Sequence, residues 1–317
     1  MAEGDRRGRR GDPRARPGRR LIDPADSRPT RPPEPPAGVF APVEAARPVA
    51  PLEPGSPPLA ILVDYDGTIA LNDVSDQIMA EHVPGDWEAE AAKYDAGGMG
   101  SRRLMAWEIG LIDADPADLF ATAAGQPHDP GFVGFARRAL AAGIPVEIVS
   151  DGFGFFIRPA LASLGLADLP VVTASTTFSG RVASIEFPNG HPTCLVCGTC
   201  KRERVRAHQA AGRAVVFIGD GESDRYAAGY ADVVWAKRAL VKICLEAGWP
   251  FRRWTEFAEI DAWLERTLAG WWAEPATLPG PRARPFFCGP EAWGDGLIDP
   301  PPDAWPPPPE EPREVVG

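Results

Sequence analysis

The sequence predicts an α/β fold: a parallel sheet with helices on both faces, and a small helical cap inserted after the first strand. Three features predict it. Short, continuous apolar runs recur through the middle of the chain, the pattern of strands covered on both faces. Helix-like segments alternate with several of those runs, and such alternation builds parallel sheets. Residues 72–130 break the rhythm, with helical periodicity and no convincing strand.

The first strand is the run Leu59-Ala60-Ile61-Leu62-Val63. Helical patterning then occupies Val74 to His82, Trp87 to Tyr94 and Ser101 to Ile109 within the predicted cap. A helix over Gly134 to Ala142 precedes strands at Ile144 to Val149 and Pro170 to Ala174. Thr176 to Phe187, with Ser179-Gly180 at its middle, reads as a β-hairpin. Lys201 to Ala211 is helical and leads into strands at Ala214 to Ile218 and Ala231 to Trp235. The expected core is therefore residues 58–71 and 131–270, with the cap at 72–130.

The ends differ from the middle. Most of the 37 prolines lie outside the α/β pattern, and residues 1–57 are Arg, Pro, Gly and Ala with little apolar periodicity. Such composition buries too little surface to offset ordering entropy, so residues 1–57 are expected to be disordered. Residues 271–317 are Pro-rich and acidic, ending in Trp305-Pro306-Pro307-Pro308-Pro309-Glu310. They are expected to be a largely disordered, extended tail that offers at most weak protein docking. The net charge of −11 lacks the basic footprint that nucleic acid requires. No window approaches the roughly 20 apolar residues of a membrane span, and the Arg-rich start lacks a secretory apolar run. A cytoplasmic protein with no nucleic-acid or membrane partner is expected. Five cysteines, three of them clustered, do not form a disulfide framework in 317 residues.

The chemistry gathers at strand ends. The first strand runs directly into Asp64-Tyr65-Asp66-Gly67-Thr68, where ligands bind in an open parallel sheet. Residues two apart point the same way, and a turn at Gly67 lets both carboxylates border one pocket. A calcium loop would need an acid or Asn in place of Thr68 and a Gly in place of Ile69. Gly219-Asp220-Gly221-Glu222-Ser223-Asp224 follows a second apolar strand. Carboxylates from two strands make a hard oxygen site suited to Mg²⁺. A dinucleotide loop is excluded there, because its third glycine would fall on Asp224, whose charge repels a pyrophosphate. Ser150-Asp151-Gly152 ends another strand and offers a hydroxyl and open backbone N–H groups to a phosphate. Lys201 opens a helix after Cys197-Gly198-Thr199-Cys200, where an ammonium offsets gathered acids and phosphate. Taken singly, Ser150 is compatible with a plain turn and Lys201 with a solvated helix start.

In this order the four segments resemble the four motifs of the haloacid dehalogenase-like phosphatase superfamily, over about Leu59 to Leu264. Asp64-x-Asp66-Gly67-Thr68 is similar to the first motif, Ser150 to the second, Lys201 to the third and Gly219-Asp220-x-x-x-Asp224 to the fourth. The resemblance implies a Rossmann-like sheet. A cap between the first two motifs resembles the phosphoserine phosphatase subclass. Cys197-Gly198-Thr199-Cys200-Lys201 and the decapeptide from Gly219 resemble the methionine-salvage branch, whose members include 2-hydroxy-3-keto-5-methylthiopentenyl-1-phosphate phosphatases. Both ends of the chain lie outside the resemblance.

The resemblance implies roles. Asp64 would be the nucleophile that forms an aspartyl phosphate, and Asp66 the general acid and base. The Asp64 carboxylate, the Asp66 carbonyl and Asp220 would hold Mg²⁺, with Asp224 ordering them. Ser150, Gly152 and Lys201 would bind the phosphate of a small-molecule substrate. In the cap, Arg102, Arg103, Met99 and Trp107 are candidates to touch the leaving group. A phosphoserine phosphatase is expected to carry a glutamate just after the first motif; Leu71-Asn72-Asp73 stands here, favouring a keto- or sugar-like phosphate. A phosphoserine phosphatase, a phosphotransferase, or a pseudo-enzyme acting through its Pro-rich ends are the alternatives. His191, Cys194, Cys197 and Cys200 are ligand types suited to zinc, but the run is tight and Cys200 adjoins Lys201, so packed, reduced thiols are expected in preference to a zinc site.

Overall fold

The computed structural model describes residues 34–95 and 99–273. Its main sheet has six parallel strands: β1 (Leu59–Val63), β2 (Val146–Val149), β3 (Val171–Val172), β6 (Ala214–Gly219), β7 (Val233–Ala236) and β8 (Arg252–Arg253). Their order is β3-β2-β1-β6-β7-β8, so β1 is central, flanked by β2 and β6. Every residue of β1 is fully buried. Alternate residues feed opposite faces: Leu59, Ile61 and Val63 join one apolar cluster, Ala60 and Leu62 the other. This period of two, buried on both sides, is why β1 reads as a continuous apolar run. Val63 is in register with Ile148 and with Ile218, so the three strands end at one edge.

Helices cover both faces. On one side α5 (Phe132–Ala141) packs against α10 (Phe257–Ala273), with the Phe132 and Phe257 ring centroids 5.1 Å apart. On the other, α7 (Lys201–Ala210) is pinned to the sheet by Glu147, a buried acid in the middle of β2. Glu147 accepts two bonds from Arg204, at 2.9 and 3.0 Å, and pairs with His208 Nε2 at 2.8 Å. The hairpin is β4 (Ser175–Ser179) with β5 (Val182–Glu186), turning at Gly180-Arg181. The short β8, α6 (Ile157–Ser163), α8 (Arg225–Tyr230) and α9 (Arg238–Glu246) complete the described core.

Between β1 and β2 lie α1 (Val74–His82), α2 (Glu88–Asp95), α3 (Ser101–Leu111) and α4 (Pro116–Ala124). Local signals set their ends. Asp73 caps α1 by accepting from Asp76 N–H at 3.0 Å, and Asp115 caps α4, with Pro116 in its first turn, by accepting from Ala117 N–H at 2.9 Å. The insertion leaves and rejoins the core through a short antiparallel stem: Leu71 N–H donates to Pro127 O at 2.8 Å, and Asp129 N–H to Ile69 O at 2.9 Å. No helix among the described residues is long and apolar enough to cross a membrane.

Residues 34–57 differ from the disorder expected of them. They form a strap without regular structure that crosses the core, with Phe40 packed between Phe155 and Phe178 at centroid distances of 5.7 and 4.9 Å. Phe40, Val43, Ala46, Val49 and Leu52 are partly buried while the residues between them are exposed. That threefold spacing matches a polyproline II strand, which turns every third side chain inward. A segment can thus bury a face without showing helix or strand periodicity. Residues 1–33 and most of the expected tail at 271–317 lie outside the described residues.

Candidate active site

The three central strands deliver their side chains to one edge. Asp64 follows β1 and its N–H bonds Ile218 O at 2.9 Å, continuing the sheet one residue further. Asp220 and Asp224 follow β6; Ser150 follows β2. Lys201 enters from the first turn of α7 with its side chain 1% exposed. Its ammonium donates to Asp64 Oδ1 at 2.6 Å, Asp224 Oδ1 at 2.7 Å and Ser223 Oγ at 2.9 Å. Asp224 Oδ2 accepts from the N–H groups of Asp220 and Gly221 at 2.8 and 3.0 Å, which fixes the loop after β6. Asp66 Oδ1 accepts from Val74 N–H at 3.0 Å, and its Oδ2 from Ser150 Oγ at 3.3 Å. Gly152 N–H in turn donates to Ser150 Oγ at 3.2 Å. Two glycines make this packing possible. Gly67 has φ +67°, and a Cβ there would stand 2.2 Å from Asp220 Oδ2; one at Gly152 would stand 2.4 Å from Asp66 Oδ2.

Burial sets the protonation. Desolvation raises the Asp64 carboxyl, Asp224 adds to the rise, and Lys201 opposes it. For Asp66, burial again leads and Asp73 reinforces it, so this acid tends to hold its proton. Asp220 is pushed up to about 6 by burial and by Asp224, against the pull of Arg238. Burial alone would discharge Lys201, but Asp224 and Asp64 outweigh it and keep the ammonium charged. Asp64, Asp220 and Asp224 each present a carboxylate oxygen, all within 4.8 Å of one another. Buried, hard oxygen donors at this spacing fit Mg²⁺.

The family model of haloacid dehalogenase-like hydrolases matches residues 61–229, more than half of the chain. The chain belongs to that family. Among curated relatives, the 2-hydroxy-3-keto-5-methylthiopentenyl-1-phosphate phosphatase of Brevibacillus brevis is 29% identical over 66% of this chain and 96% of its own. That of Geobacillus thermodenitrificans is 31% identical, again over 66% and 96%. A phospho-aspartyl intermediate analogue of phosphoserine phosphatase superposes with a TM-score of 0.52 at 18% identity, covering 66% of this chain and 99% of that one. This last likeness is one of fold.

In this hydrolase the insertion reaches the same edge. Ser101, opening α3, donates to Asp151 Oδ2, whose Oδ1 accepts from Thr199 N–H at 2.7 Å. Arg102 N–H donates to Val196 O at 3.2 Å, and its guanidinium lies 4.9 Å over the Phe187 ring. Arg103, in the same turn, is half-buried; Met99 is buried, and Trp107 is exposed on the outer side of α3. The sequence reading missed Arg238, which donates to Asp220 Oδ2 at 3.1 Å and Leu71 O at 2.6 Å from a backbone φ of +49°. It also missed Ser223 and the latch between Ser101 and Asp151. An arginine after a strand carries no signal of its own, whereas Ser223 stood inside the fourth motif. Cys194, Cys197 and Cys200 form no disulfide and line one cleft with His191, and burial pushes the Cys200 thiol up to about 11. His191 Nδ1 accepts from Cys194 N–H at 3.1 Å. Among the described residues only the three aspartates bring metal-ligand atoms so close together.

Proposed function

We propose that this chain is a Mg²⁺-dependent phosphomonoester hydrolase that works through an aspartyl phosphate on a small keto- or sugar-like phosphate. The observation that carries this reading is the pairing of two acids two residues apart in opposite settings. Burial raises both carboxyls, but Asp64 lies against the Lys201 ammonium at 2.6 Å, which opposes the rise, while Asp66 sits beside the neutral Ser150 hydroxyl at 3.3 Å. One is held as a nucleophile and the other as a proton donor, the division that acid–base chemistry at one site requires.

The Asp64 carboxylate attacks phosphorus in line, while Asp66 gives its proton to the leaving oxygen. Asp66, now a carboxylate, takes a proton from the water that attacks the aspartyl phosphate, releasing phosphate and restoring Asp64. Lys201, Ser150 Oγ and the Gly152 N–H neutralise and orient the phosphoryl oxygens. Asp64, Asp220 and the Asp66 carbonyl would hold Mg²⁺, with Asp224 orienting Asp220's loop; the ion supplies charge neutralisation at the phosphate. The helical insertion would act as a cap that excludes water and shapes the leaving-group pocket. The names of the relatives, which hydrolyse a keto phosphate, support that substrate class. Where a phosphoserine phosphatase is expected to carry a glutamate, Asn72 is an uncharged amide whose Nδ2 donates to Gln126 Oε1 at 2.9 Å, and Asp73 is engaged through Oδ1 as the cap of α1. The test is a panel of metabolite phosphates incubated with the full chain and Mg²⁺. Release of phosphate from keto or sugar-like phosphates, abolished by EDTA, is expected. Equal turnover with EDTA, or none on any ester, would overturn the proposal.

A further inference from the structure

We infer that the strap at residues 43–52, acting through Asn189, positions the first turn of α7 and thereby the Lys201 ammonium. This inference rests on the catalytic role given to Lys201 above. It concerns a segment that lies outside the residues 61–229 matched by the family model.

The strap reaches the start of α7 through Asn189 and meets the helix directly at Arg204 and just beyond its end. Ala46 N–H donates to Asn189 Oδ1 at 2.7 Å. Asn189 Nδ2 donates to Thr173 O, just past β3, at 2.8 Å, and Asn189 O accepts from Cys200 N–H at 2.8 Å. Cys200 is the residue immediately before Lys201. One asparagine thus joins the strap, the end of the sheet and the helix start. Further along, Arg204 Nη1 donates to Arg47 O at 3.2 Å while its other nitrogens hold Glu147. Arg213 Nη1 donates to Ala50 O at 2.8 Å, and Leu52 N–H to Ala211 O at 2.8 Å, just beyond the helix. The side chains facing inward are those of the threefold pattern, Val43, Ala46, Val49 and Leu52.

The first turn of a helix has backbone N–H groups without partners inside the helix, and it frays unless something outside fixes it. Cys200 contributes no side-chain cap to α7. The turn is held instead by Asn189 O, and Asn189 by the strap and the sheet. Lys201 must hold its ammonium between Asp64 and Asp224 within about 3 Å of each, so small shifts of this turn bear directly on the reacting groups.

The experiment uses full-length protein and two variants. Ala46→Pro deletes the donor to Asn189 while suiting a polyproline II backbone, whose φ proline already adopts. Asn189→Ala removes the hub from the other side. Amide hydrogen exchange is followed at residues 199–203, with β1 as reference, alongside kcat and KM for a phosphate ester. In both variants, exchange at 199–203 is expected to rise about tenfold or more with β1 unchanged. A fall in kcat of about tenfold is expected, with KM within about twofold, since a misplaced lysine affects the transition state more than binding. Unchanged exchange at 199–203 would overturn the inference, and so would faster exchange with unchanged kcat. A parent protein inactive on every phosphate would sink the hydrolytic reading, leaving the exchange comparison to decide the strap by itself.

Discussion

The two sides of the proposed pocket solve opposite problems. At the carboxyl edge of the sheet, Asp64, Asp220 and Asp224 are buried beside the half-buried Asp66, and they stay compatible because Lys201, Arg238 and backbone N–H groups answer each one within 3.4 Å. On the insertion, Glu108 in α3 is equally buried, at 3% exposure, yet burial and then Asp76 and Asp73 push its carboxyl up to about 9. The core sets a lysine, an arginine and backbone N–H groups among its acids, whereas the insertion holds Glu108 by letting its carboxyl keep a proton. A charged, rigid floor suits a phosphate common to all substrates. Glu108, Met99 and Met105 are buried in and beside α3, and an insertion with an uncharged interior would suit a variable organic part.

The sharpest way to break this comparison is to change an acid to its amide on the floor. Asp64→Asn is expected to lower kcat by roughly four orders of magnitude or more, with an unchanged melting temperature, because the nucleophile is gone. Near-normal turnover would remove the distinction altogether. Next comes Lys201→Ala, expected to reduce kcat/KM about a hundredfold for every phosphate alike, since it acts on the shared group. Strong substrate selectivity in that variant would mean the floor also reads the leaving group.

Changes in the insertion should be uneven. Arg102→Ala or Arg103→Ala is expected to lower kcat/KM for the preferred substrate about tenfold and for a small aryl phosphate by less than about twofold. Equal losses on both would place these arginines with the common machinery. The smallest effect on activity is expected from Glu108→Gln, a side chain already protonated near neutral pH. Its folded value lies above the ordinary 4.5, so the native state binds the extra proton between about 4.5 and 9. Stability from that proton is full below 4.5 and is lost as pH rises towards 9. The amide should therefore gain on the parent with rising pH, by up to on the order of 3 kcal/mol near pH 7. Denaturant melts at pH 5 and 8 would show this; a variant that loses ground at pH 8 would mean Glu108 is ionised.

The floor was legible in the sequence for a geometric reason. A parallel sheet aligns the ends of neighbouring strands, so residues just after apolar runs converge although Asp64 and Asp220 are far apart in the chain. The insertion obeys no such rule. Its residues lie on helix faces whose orientation depends on packing, so Glu108 gave no signal. Arg238 was hidden for another reason, since its reach to Asp220 depends on a left-handed backbone that no local motif announces. The strap was readable and overlooked. Phe40, Val43, Ala46, Val49 and Leu52 recur at every third position, a spacing that neither the helical nor the strand template scores, and the surrounding prolines read as disorder.

The stem of the insertion has a consequence for how such a protein can change. The chain departs at Leu71 and returns at Pro127 through adjacent, bonded positions, with the Ala70–His128 bridge closing the neck. Whatever is threaded through that neck leaves the register of β1 against β2 and β6 untouched, because both ends are anchored on the core side. Segments of other lengths and other linings could be grafted there without relearning how to fold the sheet. A lineage that recombines at this neck would inherit Asp64, Asp220, Asp224 and Lys201 in place, and would need to keep from the insertion the Val74 N–H that holds Asp66.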